Sequence, residues 1–410
     1  MRKTIEQKAI KLNAILPELD LLLRCIDSNR NPNKIECLQQ FDCSRINWQD
    51  FQFLYRSHRV APMVHGSQEH IHDLPDWVRR ELNREFDANQ RRIAALNLEI
   101  SYLHKAFTDA GIQPLLLKGP PLSKQLYGQS YIRDAGDLDW LIPPSELKRA
   151  YELLGSLGYR PLHHDFVLTE RRWENLIHSK HDLTMIHPER RIINEIHWCM
   201  DANKILFPDQ FAMEMIQRST SMPYGQITLQ ILSNEDLLLY LTYHGSKHIW
   251  YCLRWLVDVN EILQGAVSVD WDRFIQTAAD MAFQHCVNLA LNLREYLWNL
   301  PHQELPWMTD KNDAWLFAQS LQSMTSKNRR KSTSVPFHYL KKVYFTSRLK
   351  QTKCMLWQSF FPKLIVCDDW EYINFPDQLF FMYAITRPFL WVYRRLIKPK
   401  RKRTPNQTGP

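Results

Sequence analysis

Apolar residues recur at helical spacing over most of this chain and at strand spacing over a short middle stretch. Residues 3–27 read as an amphipathic helix, with Ile10, Leu12, Ile15, Leu19 and Leu22 among its apolar positions. A turn follows at Asn29 to Asn33, and Asn47 or Asp50 caps a further short helix through Phe51, Phe53 and Leu54, with Pro62 ending the pattern. From Pro75 to Ala110 the chain reads as a long helix with Arg and Glu on one face and Leu and Ile on the other, stopped by Gly111. The period then changes. Pro114 to Leu117 is a short apolar run of strand type, and Asp137 to Ile142 is a second. Strands are expected at Tyr159–Leu162, Phe166–Leu168, Asp182–His187 and Arg191–Trp198, the last two forming an antiparallel hairpin across Pro188 and Glu189. Gln226–Ile231 alternates and is expected to close the sheet. Helical patterns resume at Ser233, a cap with Glu235 and Asp236 in the first turn, and fill residues 251–300 with two more helices. Thr325 to Ser334 reads as a basic linker, 335–362 as helical, and Leu379–Ile397 as an aromatic, apolar helix.

The chemistry concentrates between Lys118 and Ile142, KGPPLSKQLYGQSYIRDAGDLDWLI. Pro120 and Pro121 suit a first helical turn, where a missing N–H costs nothing, and Gly128 stops that helix. Asp137 and Asp139 are two apart on a strand, so both carboxylates share a face. Like charges so placed need a solvated strand face or a cation. Arg133 is the nearest in sequence; a divalent ion with oxygen ligands is the alternative. Glu195, in an otherwise apolar strand, is a third carboxylate needing a reason to be there, and His197 shares its face. His197 reads first as a structural, hydrogen-bonding histidine.

At these residues the chain resembles the uncharacterised bacterial nucleotidyltransferases of the DNA polymerase beta superfamily. KG followed by R-x-x-GDLD carries the likeness, and so do NWQDFQFLYRSHRVAPMVH (47–65), HGSKHIWYCLRWLVDVNEIL (244–263) and the E-h-H-W segment at Glu195. The resemblance implies an α+β fold, with a small mixed β-sheet nucleotidyltransferase core between N- and C-terminal helical regions. It implies Mg²⁺, about two ions, on Asp137, Asp139 and Glu195, which would be the catalytic carboxylates. It implies a nucleoside triphosphate seated by Lys118, Gly119 and Ser123, with Arg133 and Lys247 as further contacts. The glycine–serine pair of better-known superfamily members is missing here, and the two prolines remove two N–H donors from the phosphate turn.

Composition adds limits. Gly is scarce at 11 while Trp and Tyr number 14 and 16, in keeping with a largely helical chain. The net charge of +8 favours acidic partners, but much of the excess lies near the end, so it is no nucleic-acid signature. The eight cysteines form no C-x-x-C pair and show no zinc spacing, and the first residues lack a signal peptide's apolar run, so reduced thiols and a cytoplasmic location are expected. His244 and His248 lie one helical turn apart, but Lys247 beside them opposes a zinc site. Leu379–Ile397 is too short in its apolar part to span a bilayer. Docking onto the helices of residues 233–300 is favoured over a membrane surface, because Arg387 and Pro388 interrupt the apolar run.

The expected organisation is a helical region (1–85), the nucleotidyltransferase core (86–232), a helical domain (233–325), a helical extension (326–397) and a basic tail (398–410). The expected function is Mg²⁺-dependent transfer of an NMP group from an NTP to an acceptor, with release of pyrophosphate. The acceptor, whether protein, peptide, sugar, RNA or small molecule, is not written in the sequence. The alternative is a catalytically degenerate nucleotide-binding or scaffolding protein, membrane-peripheral if the last helix lies on lipid. Neutralising Asp139 should leave stability unchanged or raise it, through relief of repulsion from Asp137.

Overall fold

Helices on both sides in sequence enclose one mixed sheet, the α+β arrangement that the family resemblance implies. The computed structural model describes residues 16–162, 167–204, 207–300, 305–307, 314–326, 344–345, 348–349 and 365–396. The start of the first expected helix, the 335–362 stretch apart from four residues, most of the basic linker and the tail lie outside them.

α1 (Pro17–Arg30) opens on a proline in its first turn and buries Leu19, Leu22 and Ile26. After α2 (Ile35–Gln39) comes α3 (Trp48–Ser57), capped by Asn47, whose Oδ1 accepts from the Gln49 and Asp50 N–H groups at 3.1 and 3.2 Å. Pro62 does not end the helical pattern. It sits in the first turn of α4 (Ala61–Ser67), the one place where proline fits a helix without loss. α5 (Asp76–Asp109) buries Val78, Leu82, Ile93, Leu96, Ile100, Leu103 and Phe107 along one stripe, spanning the N-terminal helices and the back of the sheet.

The strands and their connections follow: β1 (Leu115–Leu116), α6 (Pro120–Tyr127), β2 (Asp137–Leu141), α7 (Leu147–Ser156), β3 (Arg160–Pro161), α8 (Glu170–Ser179), β4 (Asp182–His187), β5 (Ile192–His197), α9 (Asp209–Gln217), β6 (Thr220–Tyr224) and β7 (Ile227–Ile231). Their order across the sheet is β3-β4-β5-β2-β1-β7-β6. The β4–β5 hairpin forms as expected. β7 does not close the sheet: it runs parallel to β1, and β6 lies outside it. Of the expected Phe166–Leu168 strand, the described residues Val167 and Leu168 are coil leading to Thr169, whose Oγ1 caps α8. On the back of the sheet Leu138 and Trp140 are fully buried; Trp140 meets Phe107 edge-on at 5.5 Å, and its Nε1 donates to Asn194.

The second helical group is α10 (Asn234–Lys247), α11 (Leu253–Leu263), α12 (Trp271–Asp280), α13 (Gln284–Trp298) and α14 (Ala314–Thr325). Ser233 caps α10 through the Asp236 N–H, as its spacing predicts. The last helix is α15 (Met382–Leu396), whose Phe389 and Trp391 are exposed rather than docked on α10–α13 as expected. It packs on residues 366–375 and reaches α8: Arg387 pairs with Asp369 at 2.9 Å, and the Tyr383 hydroxyl, 3.4 Å from Arg172, donates to the Ile373 carbonyl. Of the seven cysteines described, none is in a disulfide, and all but Cys37 are buried.

Candidate active site

β2 and β5 run parallel in a register that sets Asp139 directly beside Glu195. Strand alternation then turns Asp137, Asp139, Glu195 and His197 to one face, opposite Leu138 and Trp140. One ligand atom each from Asp139, Glu195 and His197 lies within 4.8 Å of the others. Asp137 stands outside this compact set. His197 stands inside it, with Nε2 3.1 Å from Asp139 Oδ1 and 3.5 Å from Glu195 Oε2. Its signal was already in the sequence, since the same alternation that selects Glu195 selects His197.

Lys118 leaves the end of β1 and places Nζ 3.2 Å from Asp139 Oδ1 and above the Tyr240 ring. Burial alone would raise the Asp139 pKa, but Lys118 and His197 overcome it and hold the carboxyl below its ordinary range. Burial likewise opposes charge on His197, yet its bonds to Asp139 and Glu195 raise it to about 9. Lys118 is raised too, burial being outweighed by Asp139, Tyr240, Asp137 and Glu195. Asp137 goes the other way, pushed up by burial and then by Asp139. The face is therefore acidic, with a lysine and an imidazolium as its counter-charges.

Gly119 joins this strand to α6 with φ 89° and ψ −152°, a conformation essentially confined to glycine. It lies against β2: a Cβ there would meet the Asp137 carbonyl at 3.7 Å. Because Pro120 and Pro121 start α6, Leu122 is its first residue with an N–H. Three of the predicted phosphate contacts are engaged elsewhere. Ser123 Oγ is buried, donates to the Gln129 carbonyl at 2.6 Å and accepts from the Arg133 N–H at 3.0 Å, so it shapes the loop. Arg133 does not meet the carboxylates; its guanidinium is buried against Asp258 of α11 at 2.8 Å, in reach of a closer partner from another element. Lys247 pairs with Asp201 at 2.8 Å, an acid that also accepts from the Tyr243 hydroxyl.

The loop before β2 is gripped by Arg59 and Arg92, which no sequence motif placed, and by Arg254. Asp134 receives Arg59 Nε at 2.7 Å and Arg92 Nη2 at 2.6 Å, and its carbonyl accepts from Arg254. The His58 ring accepts from the Leu253 N–H at 3.0 Å. The segments around Arg59 and Arg254, far apart in sequence, thus meet at the loop that ends in Asp137. The signal was a charged residue within each apolar motif, RSHRV and CLRWL. Arg254 is 6% exposed, and its Nε has no hydrogen-bond partner among the described residues. Burial, with Arg59 and Arg133 nearby, lowers it to about 10. A wall of rings completes this side: Tyr240, His244, His248 and Trp255. Burial, then Lys118 and the other nearby cations, holds His244 well below its ordinary pKa, so it is neutral.

The arrangement can hold a cation and bring positive side chains to phosphate. Two carboxylates converge with Asp139 only 3% exposed, and the His197 imidazole completes a donor set for a divalent ion once it gives up its proton. Comparison with curated proteins and with solved structures gave no match. The model of one family, described as uncharacterised nucleotidyltransferase, matches residues 44–299, a span that includes all seven strands, the carboxylates and the arginine grip. The match runs over more than half of the chain, and the chain belongs to this uncharacterised nucleotidyltransferase family.

Proposed function

We propose that this protein moves an NMP group from an NTP to an acceptor hydroxyl at the face bearing Asp137, Asp139 and Glu195, within a core of the DNA polymerase beta type. The observation that carries the reading is the parallel register of Asp139 and Glu195, with Lys118 Nζ 3.2 Å from Asp139 Oδ1. In the reaction the acceptor oxygen bonds to the α-phosphorus, the bridge to the β-phosphate breaks, and pyrophosphate leaves with that bridging oxygen. The hydroxyl proton passes to a carboxylate of the trio or to water. Mg²⁺ held by Asp137, Asp139 and Glu195, with His197 beside them, would supply neutralisation of phosphate charge and a more acidic hydroxyl.

The residues of this chain have separable tasks. Lys118 swings from Asp139 to a phosphate oxygen, and Gly119 lets the backbone approach. Arg254, lacking a carboxylate partner among the described ion pairs, and Arg59 beside Asp137 supply the positive charge that Pro120 and Pro121 take from the helix start. Ser123 and Arg133 position the loop rather than touch phosphate, and Lys247 forms the far wall with Asp201.

The prolines also favour a second reading, a catalytically degenerate nucleotide-binding protein. Purified protein is incubated with each NTP and Mg²⁺, with and without cell lysate, while NTP binding and pyrophosphate release are measured separately. Transfer predicts pyrophosphate release that depends on an acceptor from the lysate. Binding without release under every condition would support the degenerate reading and contradict transfer.

A further inference from the structure

Arg387, the charge expected to spoil an apolar face on the last helix, points the other way. Its guanidinium turns inward to Asp369, with its side chain 12% exposed. Phe380, Tyr383 and Leu390 share that inward side and are 4%, 0% and 8% exposed. The opposite side is Phe381, Ile385, Phe389 and Val392, at 55%, 56%, 75% and 43% exposed. Spacings of four, four and three residues align these on a single stripe. No acidic or basic residue falls on it between Asp377 and Arg394. α15 is thus apolar on two sides, one packed on residues 366–375 and one facing solvent. A soluble surface seldom presents such a row without a use for it.

The sequence continuing from this helix says what the stripe faces. Arg394, Arg395, Lys398, Lys400, Arg401, Lys402 and Arg403 follow with no acidic residue after Asp377. An apolar stripe followed at once by a run of cations matches the two layers of an anionic bilayer surface, acyl boundary and headgroups. Either signal alone binds weakly, and the two together anchor. No helix among the described residues is long and apolar enough to cross a membrane, so the contact is with one leaflet.

We propose that the exposed stripe of α15 and the basic run beyond it seat the protein on an anionic lipid surface. The full-length protein is sedimented with phosphatidylcholine vesicles and with vesicles that also contain phosphatidylglycerol. Binding is expected only to the anionic vesicles and is expected to fall as salt is raised. The double variant Ile385→Glu with Phe389→Glu changes exposed positions, so its melting temperature should match that of the unaltered protein while its partitioning falls by about tenfold or more. Replacing Lys398, Lys400, Arg401, Lys402 and Arg403 by Gln should cost a comparable loss. Binding that ignores the double variant would reduce the effect to the basic run and overturn the proposal. Absence of binding to anionic vesicles would overturn it as well. Concentration-dependent self-association abolished by the double variant, without vesicle binding, would make the stripe an interface between copies of this chain and overturn the lipid assignment.

Discussion

Asp139 is held by Lys118 Nζ at 3.2 Å and His197 Nε2 at 3.1 Å, and these two cations reverse an expectation drawn from the sequence. Seen as one of two neighbouring carboxylates, Asp139 should be dispensable to stability. Seen with its counter-charges, it should not. Its folded pKa lies below the ordinary value of 3.8, so its contribution is complete above that pH and is lost as pH falls toward the folded value. Asp139→Asn at neutral pH removes one partner of a buried ion pair, a change that costs about 3 kcal/mol or more. Thermal melting of the variant should show a clear drop; an unchanged or raised midpoint would mean that repulsion from Asp137 dominates after all. The position of Asp139 in the cluster was legible from D-x-D and alternation, as was Glu195. The contacts of Lys118 and His197 with it depend on which strands are neighbours, which no local spacing states. Arg133 fails for the same reason, because Asp258 reaches it from a helix more than a hundred residues further on.

At the scale of elements, chain punctuation was the readable part. Asn47, Ser233, Gly128 and the Pro188–Glu189 turn each act where local chemistry puts them. α8 and α9 were missed although their cues were present. Thr169 caps α8, with Trp173 and Leu176 at helical spacing, and Pro208 precedes Phe211, Ala212 and Met215. The parallel β2–β5 pairing was beyond reach, since β4 is its antiparallel neighbour in sequence and the β2 contact is long-range. One contact between elements predicts a pH effect. Arg30 of α1 meets Glu261 of α11 at 3.1 Å. Burial raises the Glu261 carboxyl to about 7 against the pull of Arg30, with Asp258 and Asp27 adding to the rise. Because the folded pKa lies above the ordinary 4.5, its contribution to stability is complete below that pH and is lost as pH rises through about 7. Glu261→Gln should therefore stabilise the protein above pH 7 by about 2 kcal/mol and leave it unchanged near pH 4.5. A denaturation series across that range checks it, and a variant less stable at the alkaline end would show that the ion pair with Arg30 outweighs burial.

For the molecule as a whole, two clusters of basic residues have different surroundings. Arginines 59, 92, 133 and 254 are drawn inward around the loop before β2, while seven cations follow the exposed stripe of α15. One set would serve a nucleotide and the other a lipid surface, so the two proposals can fail separately. Glu195 tests nucleotidyl transfer at the shared face more cleanly than Asp139 does. Its side chain is 28% exposed and 3.5 Å from His197, so Glu195→Gln disturbs folding less than loss of the buried Asp139 would. The measurement is transfer of label from an α-labelled NTP to acceptor in lysate, with Mg²⁺, comparing the unaltered protein with Glu195→Gln at matched folded concentration. Labelled acceptor is expected with the unaltered protein, with a loss of roughly a hundredfold or more in the variant. A folded Glu195→Gln protein that labels acceptor at the undiminished rate would contradict transfer at this face.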